Sequence, residues 1–275
     1  MITVVRPGPL TTVQDLGRPG YAHLGVPHSG ALDQPALRRA NALVGNPPAA
    51  AGLETTLMGC ALRFERAARV AITGAVATVR LDKVPVDGEV IDVPAGAVLD
   101  VGRATRGVRS YLAVAGGIAA EPVLGSRSTD TLSGLGPAKL TDGMTLPIGE
   151  LTGGSPPARA AAQAVDELLL GVRRGPRDDW FVAAELFASA YTVSPMSNRV
   201  GCRLAGSALT RAKAGELPSE GVVLGAVQVP ADGQPLIFLA DHPTTGGYPV
   251  IGVVDDVTPL AQARPGSTVR FRELD

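Results

Sequence analysis

Short runs of valine, isoleucine and leucine, each closed by glycine or proline, recur from Ile2 to Phe271, and this punctuation constrains the fold more than any other feature. The 34 glycines and 23 prolines do not gather in one low-complexity block but separate the apolar runs. Glycine reaches backbone conformations closed to other residues and proline fixes its own, so the pattern predicts many strands joined by tight turns. Strands are expected at 2–5, 61–64, 70–72, 76–81, 98–101, 110–114, 222–229, 236–239, 250–254 and 268–271. Helix signals are few. Asp33 is a possible N-cap with Pro35 just inside, Leu37, Ala40 and Val44 follow at helical spacing, and Gly45 is a stop, which predicts a helix within 31–44. A second short helix is expected over 180–188. The chain is therefore expected to be mainly β.

A length of 275 residues accommodates one large domain or two medium ones. Residues 151–167 combine Gly, Ser, Pro and Ala without a strand pattern and read as a linker between an N-terminal half, 1–150, and a C-terminal half, 168–275. The second half partly echoes the first. Arg6 is answered by Arg174 at an offset of 168, Tyr21 by Tyr191 at 170, and Glu54 by Glu220 at 166. Glu54 and Glu220 each precede a glycine by the same five-residue step, at Gly59 and Gly225. A near-constant offset is what an old duplication with small insertions leaves.

Composition narrows the function classes. Lys plus Arg number 25 against 26 Asp plus Glu, a balance that gives no broad field for nucleic acid or an anionic membrane. No apolar run approaches the roughly 20 residues that span a bilayer, and Met1 leads directly into a strand-like segment, so a cytoplasmic address is expected. Cys60 and Cys202 sit among small or apolar neighbours and read as buried free thiols. His23, His28 and His242 lack metal-ligand spacing, and no metal site is expected. The sequence contains no GxxxxGK[ST] loop, no GxGxxG, no GxSxG elbow and no biotinylation segment.

Four polar clusters remain as candidates for chemistry. The first lies in 11–33, read as a shaped loop rather than a core element, and holds Gln14, Asp15, Arg18, Tyr21, Ser29 and Asp33. Asp15 and Arg18 are either an internal ion pair or part of a site. The second, Gly125-Ser-Arg-Ser-Thr-Asp130, surrounds Arg127 with the hydroxyls of Ser126, Ser128 and Thr129. It offers a planar fork and several donors to a carboxylate, phosphate or carbamate. The third is Ser194-Pro-Met-Ser-Asn-Arg199. The fourth, Asp241 to Pro249, places Thr244 and Thr245 ahead of two glycines, with Tyr248 able to stack or donate.

In this order the clusters resemble the carboxyltransferase family typified by allophanate hydrolase subunit 2, also known as KipA-like proteins or as the C subunit of 5-oxoprolinase. The resemblance rests on Thr12-Val-Gln-Asp-Leu-Gly-Arg18, Gly25-Val-Pro-His-Ser-Gly-Ala-Leu-Asp33, Ala40-Asn-Ala-Leu-Val-Gly-Asn46, Tyr111-Leu-Ala-Val-Ala-Gly-Gly-Ile118, Gly125-Ser-Arg-Ser-Thr129 and Thr244-Thr-Gly-Gly-Tyr-Pro249. It implies two tandem cyclophilin-like β-barrel halves with a few short helices. It also implies a homologous subunit-1 or KipI-like partner and, in the free-standing bacterial type, a third subunit with which 5-oxoproline is opened to glutamate at the expense of ATP. The alternatives it carries are a biotin-dependent urea carboxylase component and a KipA-like regulator that binds a sensor-kinase inhibitor. Asp15, Arg127 and Tyr21 are expected in catalysis, and Gln14, Arg18, Ser126, Ser128, Thr129, Thr244, Thr245 and Tyr248 in substrate binding. After the Arg127 loop the chain runs Ser133-Gly-Leu-Gly-Pro-Ala-Lys139, where the family commonly has a Gly-Arg turn.

Overall fold

The computed structural model describes residues 1–151 and 167–275, so nearly all of the expected linker lies outside the described residues. Chain contacts divide it into two compact units. The first holds Met1–Arg18, Ser29–Asp130 and the stretch beginning at Gly134; the second holds Pro19–His28, Thr131–Ser133 and the stretch ending at Asp275.

The first unit contains β1 (Ile2–Arg6), β2 (Thr11–Gln14), β3 (Gly52–Thr56), β4 (Ala61–Phe64), β5 (Ala68–Leu81), β6 (Val84–Val86), β7 (Val90–Val93), β8 (Val98–Val114) and β9 (Thr145–Leu146). They form one curled sheet in the order β2-β3-β8-β4-β1-β9, with β5 on β8 and both β6 and β7 on β5. Ile2, Val13, Leu53, Leu62, Phe64, Leu99 and Leu112 are fully buried in its core. The second unit contains β10 (Glu167–Arg174), β11 (Tyr191–Val193), β12 (Gly201–Ala205), β13 (Glu220–Gly221), β14 (Ala226–Gln228), β15 (Leu236–Phe238), β16 (Thr245–Gly246), β17 (Val250–Val254) and β18 (Thr268–Glu273). Seven of these close a barrel, β10-β17-β14-β15-β12-β11-β18, and β13 pairs only with β16. Burial alternates along β10, with Leu168, Leu170 and Val172 inward, as a strand with one solvated face requires. The mainly-β expectation holds, with one half closed as a barrel and the other left as a curled sheet.

Helix α1 (Gln34–Leu43) forms where the capping signals predict it. The Asp33 carboxylate accepts the Ala36 N–H at 3.0 Å, proline occupies the first turn, and Gly45 follows the end with φ 77°. Such a cap contributes about 1 kcal/mol. Ala36, Leu37 and Ala40 face inward against Tyr111, Ala71 and Ala113. The second expected helix is shorter: a 3₁₀ turn at Asp178–Trp180 and α2 (Ala184–Ala188) are separated by residues 181–183, of which Phe181 is extended and bridges Arg211.

Three expectations need correction. Residues 70–72 and 76–81 are one strand, β5, and 98–101 and 110–114 are one strand, β8. Gly74, with φ 86°, bends the chain at a run of register shifts instead of ending the pairing, so a glycine that reads as a turn is a bulge. The expected strand 222–229 is divided, because residues 222–225 turn between β13 and β14. Thr11–Gln14, expected in a loop, is the buried strand β2. Its polar side chains find partners within the unit: Thr11 Oγ1 donates to Pro7 O and shares a hydrogen bond with the Thr55 hydroxyl, and Gln14 Nε2 donates to Thr12 Oγ1 and Thr129 O. Buried polar atoms that are hydrogen-bonded are tolerated in a core, and they hide the apolar alternation by which strands are recognised.

Candidate active site

The end of β2 and the ribbon Val123–Thr129 form a single polar cluster in the first unit. The ribbon starts in a tight turn: Val123 and Ser126 exchange both backbone hydrogen bonds across Leu124 and Gly125, whose φ values are 52° and 80°. It then runs beside β2, with Thr129 N–H donating to Val13 O at 2.9 Å. Asp15 stands at the join. Its Oδ1 accepts from Ser126 Oγ at 2.6 Å, Ser128 Oγ at 2.6 Å and Gly17 N–H at 2.8 Å. Its Oδ2 accepts the Arg127 N–H at 2.6 Å. The Asp15 N–H in turn donates to Ser128 Oγ. A carboxylate has about four acceptor sites, and four donors hold this one, three of them on Oδ1. The two serine hydroxyl protons are thereby committed to Asp15, and the group acts as a clasp that sets the Arg127 backbone.

The side chain of Arg127 is held at one point: Nε donates to Ala120 O at 2.7 Å, and neither terminal nitrogen has a described protein partner. An anchored guanidinium with a free outer edge is preorganised for an oxyanion. Thr129 Oγ1 donates to Pro137 O, and its carbonyl accepts from Gln14 Nε2 and Ser29 Oγ.

Arg18 is not the ion-pair partner of Asp15. Its Nε donates to Val123 O at 3.3 Å and its Nη2 to Ser128 O. The residue is 1% exposed. Gly136 backs this contact: a β-carbon there would lie 2.1 Å from Ser128 O and 3.1 Å from Arg18 Nη2. The chain at Gly136 is thus a back wall against which the ribbon packs.

The other expected residues belong to the second unit. Tyr21 precedes a 3₁₀ turn at Ala22–Leu24 and its hydroxyl has no described hydrogen bond. Thr244 is fixed by its carbonyl, which accepts from Val222, Thr245 lies in β16, and Tyr248 is half exposed with its carbonyl accepting from Gln228 Nε2. Arg199 and Asp241 form a buried bidentate pair, 2.8 Å on each side, and Thr131 donates its N–H and hydroxyl to Asp241 Oδ2. Burial would raise the Asp241 carboxyl, but the Arg199 charge and the Thr131 hydrogen bonds outweigh it and hold the group below the usual carboxylate range.

Sequence reasoning missed a second buried network in the first unit. Tyr111 donates its hydroxyl to Glu54 Oε2 at 2.8 Å and accepts the Asp33 N–H at 2.8 Å, and Arg109 lies 3.5 Å from Glu54 Oε1. Burial first, then the charges of Glu54 and Asp33, push the Tyr111 hydroxyl well above its ordinary value, so it remains a donor. This network ties β3 and β8 to the cap of α1, and no local pattern announces partners so distant in sequence. Cys60 is a buried free thiol pushed up to about 12 by burial, which removes it as a nucleophile; Cys202 is also buried, with the Ser197 hydroxyl against its sulfur. No helix among the described residues is long and apolar enough to cross a membrane.

The family model for the carboxyltransferase domain, subdomain A and B, matches residues 24–273, and the chain belongs to this family. It is 43% identical to the 5-oxoprolinase C subunit of Escherichia coli K12, over 98% of this chain and 90% of the relative. It is 35% identical to the 5-oxoprolinase C subunit of Haemophilus influenzae, over 100% and 91%. The crystal structure of K. lactis urea amidolyase superposes with a TM-score of 0.91 at 30% identity, covering 100% of this chain and 19% of that chain.

Proposed function

We propose that this chain is the C subunit of an ATP-dependent 5-oxoprolinase, a complex that opens 5-oxoproline to L-glutamate. The observation that carries the reading is the 43% identity, over nearly the full length of both chains, to a protein of that name. The partners are a homologous subunit-1 or KipI-like chain and a third subunit, and ATP is assigned to the complex rather than to a residue of this chain.

A lactam resists water because its nitrogen lone pair is delocalised into the carbonyl. Phosphoryl transfer from ATP to the lactam oxygen, releasing ADP, makes the carbonyl carbon electrophilic. Water adds there, the ring C–N bond breaks as the nitrogen takes a proton, and a second water releases phosphate from the resulting acyl phosphate. The negative charge that develops on oxygen suits Arg127, whose outer edge is free and whose backbone is held by Asp15. Ser126, Ser128 and Thr129 shape that ribbon. Gln14 and Arg18 lie beside it, and Tyr21, Thr244, Thr245 and Tyr248 are candidates by residue type.

The test is co-expression with the partner subunits and an assay for glutamate from 5-oxoproline with and without ATP. ATP-dependent release is expected. Arg127→Ala should lower kcat/KM by roughly a hundredfold or more while unfolding is unchanged. No release from the folded, complete complex overturns the reading. Unchanged turnover in a folded variant removes Arg127. The likeness to urea amidolyase supports a second reading, carboxyl transfer from carboxybiotin to urea, and biotin-dependent consumption of urea would favour it.

A further inference from the structure

We propose that Arg18 is the site's carboxylate-recognition residue, binding the anionic group of a small substrate through Nη1. This deepens the 5-oxoprolinase reading, and it rests on that reading for the choice of ligand. A guanidinium stays protonated inside a protein, so its burial requires compensation. At Arg199, equally buried, the chain supplies it in full with Asp241. At Arg18 it supplies two neutral carbonyls, Val123 O and Ser128 O; among the described residues no carboxylate pairs with the side chain, and Nη1 is buried without a partner.

Other features of the same ribbon point the same way. Gln14 donates to Thr129 O, the carbonyl next to the one that Arg18 holds, and its own Oε1 is buried without a partner among the described residues. Two non-glycine residues adopt left-handed backbones against the ribbon: Ser29, φ 54°, donates to Thr129 O, and Leu124, φ 52°, is 40% exposed at the turn that opens it. Strain and unmet polar atoms collect where a protein's geometry serves something other than its own stability. The unmet atoms also define the chemistry. Nη1 calls for an anionic oxygen and Gln14 Oε1 for an N–H, and a ring bearing a carboxylate beside its amide nitrogen carries both. Phosphate lacks the N–H, and neutral urea lacks the anion. The inference also divides the work between the arginines, with Arg18 for the carboxylate and Arg127 for the lactam oxygen.

The experiment titrates the full-length chain with L-5-oxoproline and with 2-pyrrolidinone, the same lactam without its carboxylate, and repeats the first titration with Arg18→Lys and Arg18→Met. L-5-oxoproline should bind and 2-pyrrolidinone should bind at least tenfold more weakly. Each variant should lose roughly ten- to hundredfold in affinity, the value of a hydrogen bond to a charged group. In the reconstituted complex Arg18→Lys should raise KM by a similar factor with a smaller change in kcat. Equal binding of the two lactams, no binding of either, or an unchanged KM in a folded, active Arg18→Lys complex overturns the inference and leaves the 5-oxoprolinase reading standing. Arg18-dependent carboxylate binding in a complex that releases no glutamate overturns that reading and leaves the carboxylate site. Should neither variant fold, the guanidinium ¹⁵N resonances of the unmodified chain decide. A saturable shift of one buried arginine with L-5-oxoproline alone supports the inference, and none with either lactam overturns it.

Discussion

Arg18 in the first unit and Arg199 in the second are both 1% exposed, yet their surroundings are opposite. Arg199 meets Asp241 through two parallel hydrogen bonds, and Thr131 secures the same carboxylate. Arg18 meets main-chain carbonyls, while the nearby Asp15 carboxylate is taken up by Ser126, Arg127 and Ser128. The closed barrel therefore neutralises its buried charge within itself, whereas the curled sheet keeps a cation and a carboxylate close in sequence without pairing them. Arg199 and Asp241 are a pair matched inside the chain, whereas Arg18 is left with neutral partners.

Removing Asp241 should break this comparison most severely. Asp241→Ala strands the Arg199 charge and should lower stability by about 3–5 kcal/mol in urea unfolding; a loss below about 1 kcal/mol would mean the pair is not the second unit's keystone. The same pair sets an acid limb. Because the folded Asp241 carboxyl is held low, its contribution is present above the unfolded aspartate value near 3.9 and is lost as pH falls through the lower folded value. Below about pH 4 the native chain should lose stability more steeply than Asp241→Asn, and parallel acid limbs would remove Asp241 from the account.

A smaller effect is expected at the clasp. Asp15→Asn can keep an oxygen toward Ser126, Ser128 and Gly17 but turns an N–H₂ toward the Arg127 N–H, so it should cost about 1–3 kcal/mol. Turnover in the complex should fall further than stability explains, because the Arg127 backbone loses its anchor; full activity would show that the clasp does not position Arg127. The smallest effect is expected at the ribbon's turn. Leu124→Asn replaces a bulky side chain at φ 52° with one that tolerates this region, and should stabilise the chain by about 1 kcal/mol. No rise in Tm would show that the turn carries no strain.

Much of the fold was legible in the sequence. The strands near 61–64, 250–254 and 268–271 and the helix capped by Asp33 form where apolar runs and capping residues place them. Strand β2 was not legible, because Thr11, Thr12 and Gln14 bury polar groups whose partners lie elsewhere. The length of β5 and β8 was also hidden, because a glycine bulge and a glycine turn look alike in one dimension. The polar cluster of the first unit was legible as a set of residue types. Its wiring was not: the expected alternatives for Asp15 and Arg18 included their mutual ion pair, and the structure joins each to the Val123–Ser128 ribbon instead.

The sequence by itself determined the β-rich class, the capped helix and the polar clusters, because these follow from backbone preferences and residue types within a few positions, and it carried the family as a resemblance across six motifs. Tertiary structure alone decided who bonds to whom. Asp15 meets Ser126 across 111 positions and Ser128 across 113, and Asp241 meets Arg199 across 42. Such contacts are set by strand pairing and by which side of a strand a residue faces, and a shift of one residue reverses that side. For that reason two arginines that look alike in the sequence end as a neutralised scaffold pair in one unit and an unmatched cation in the other.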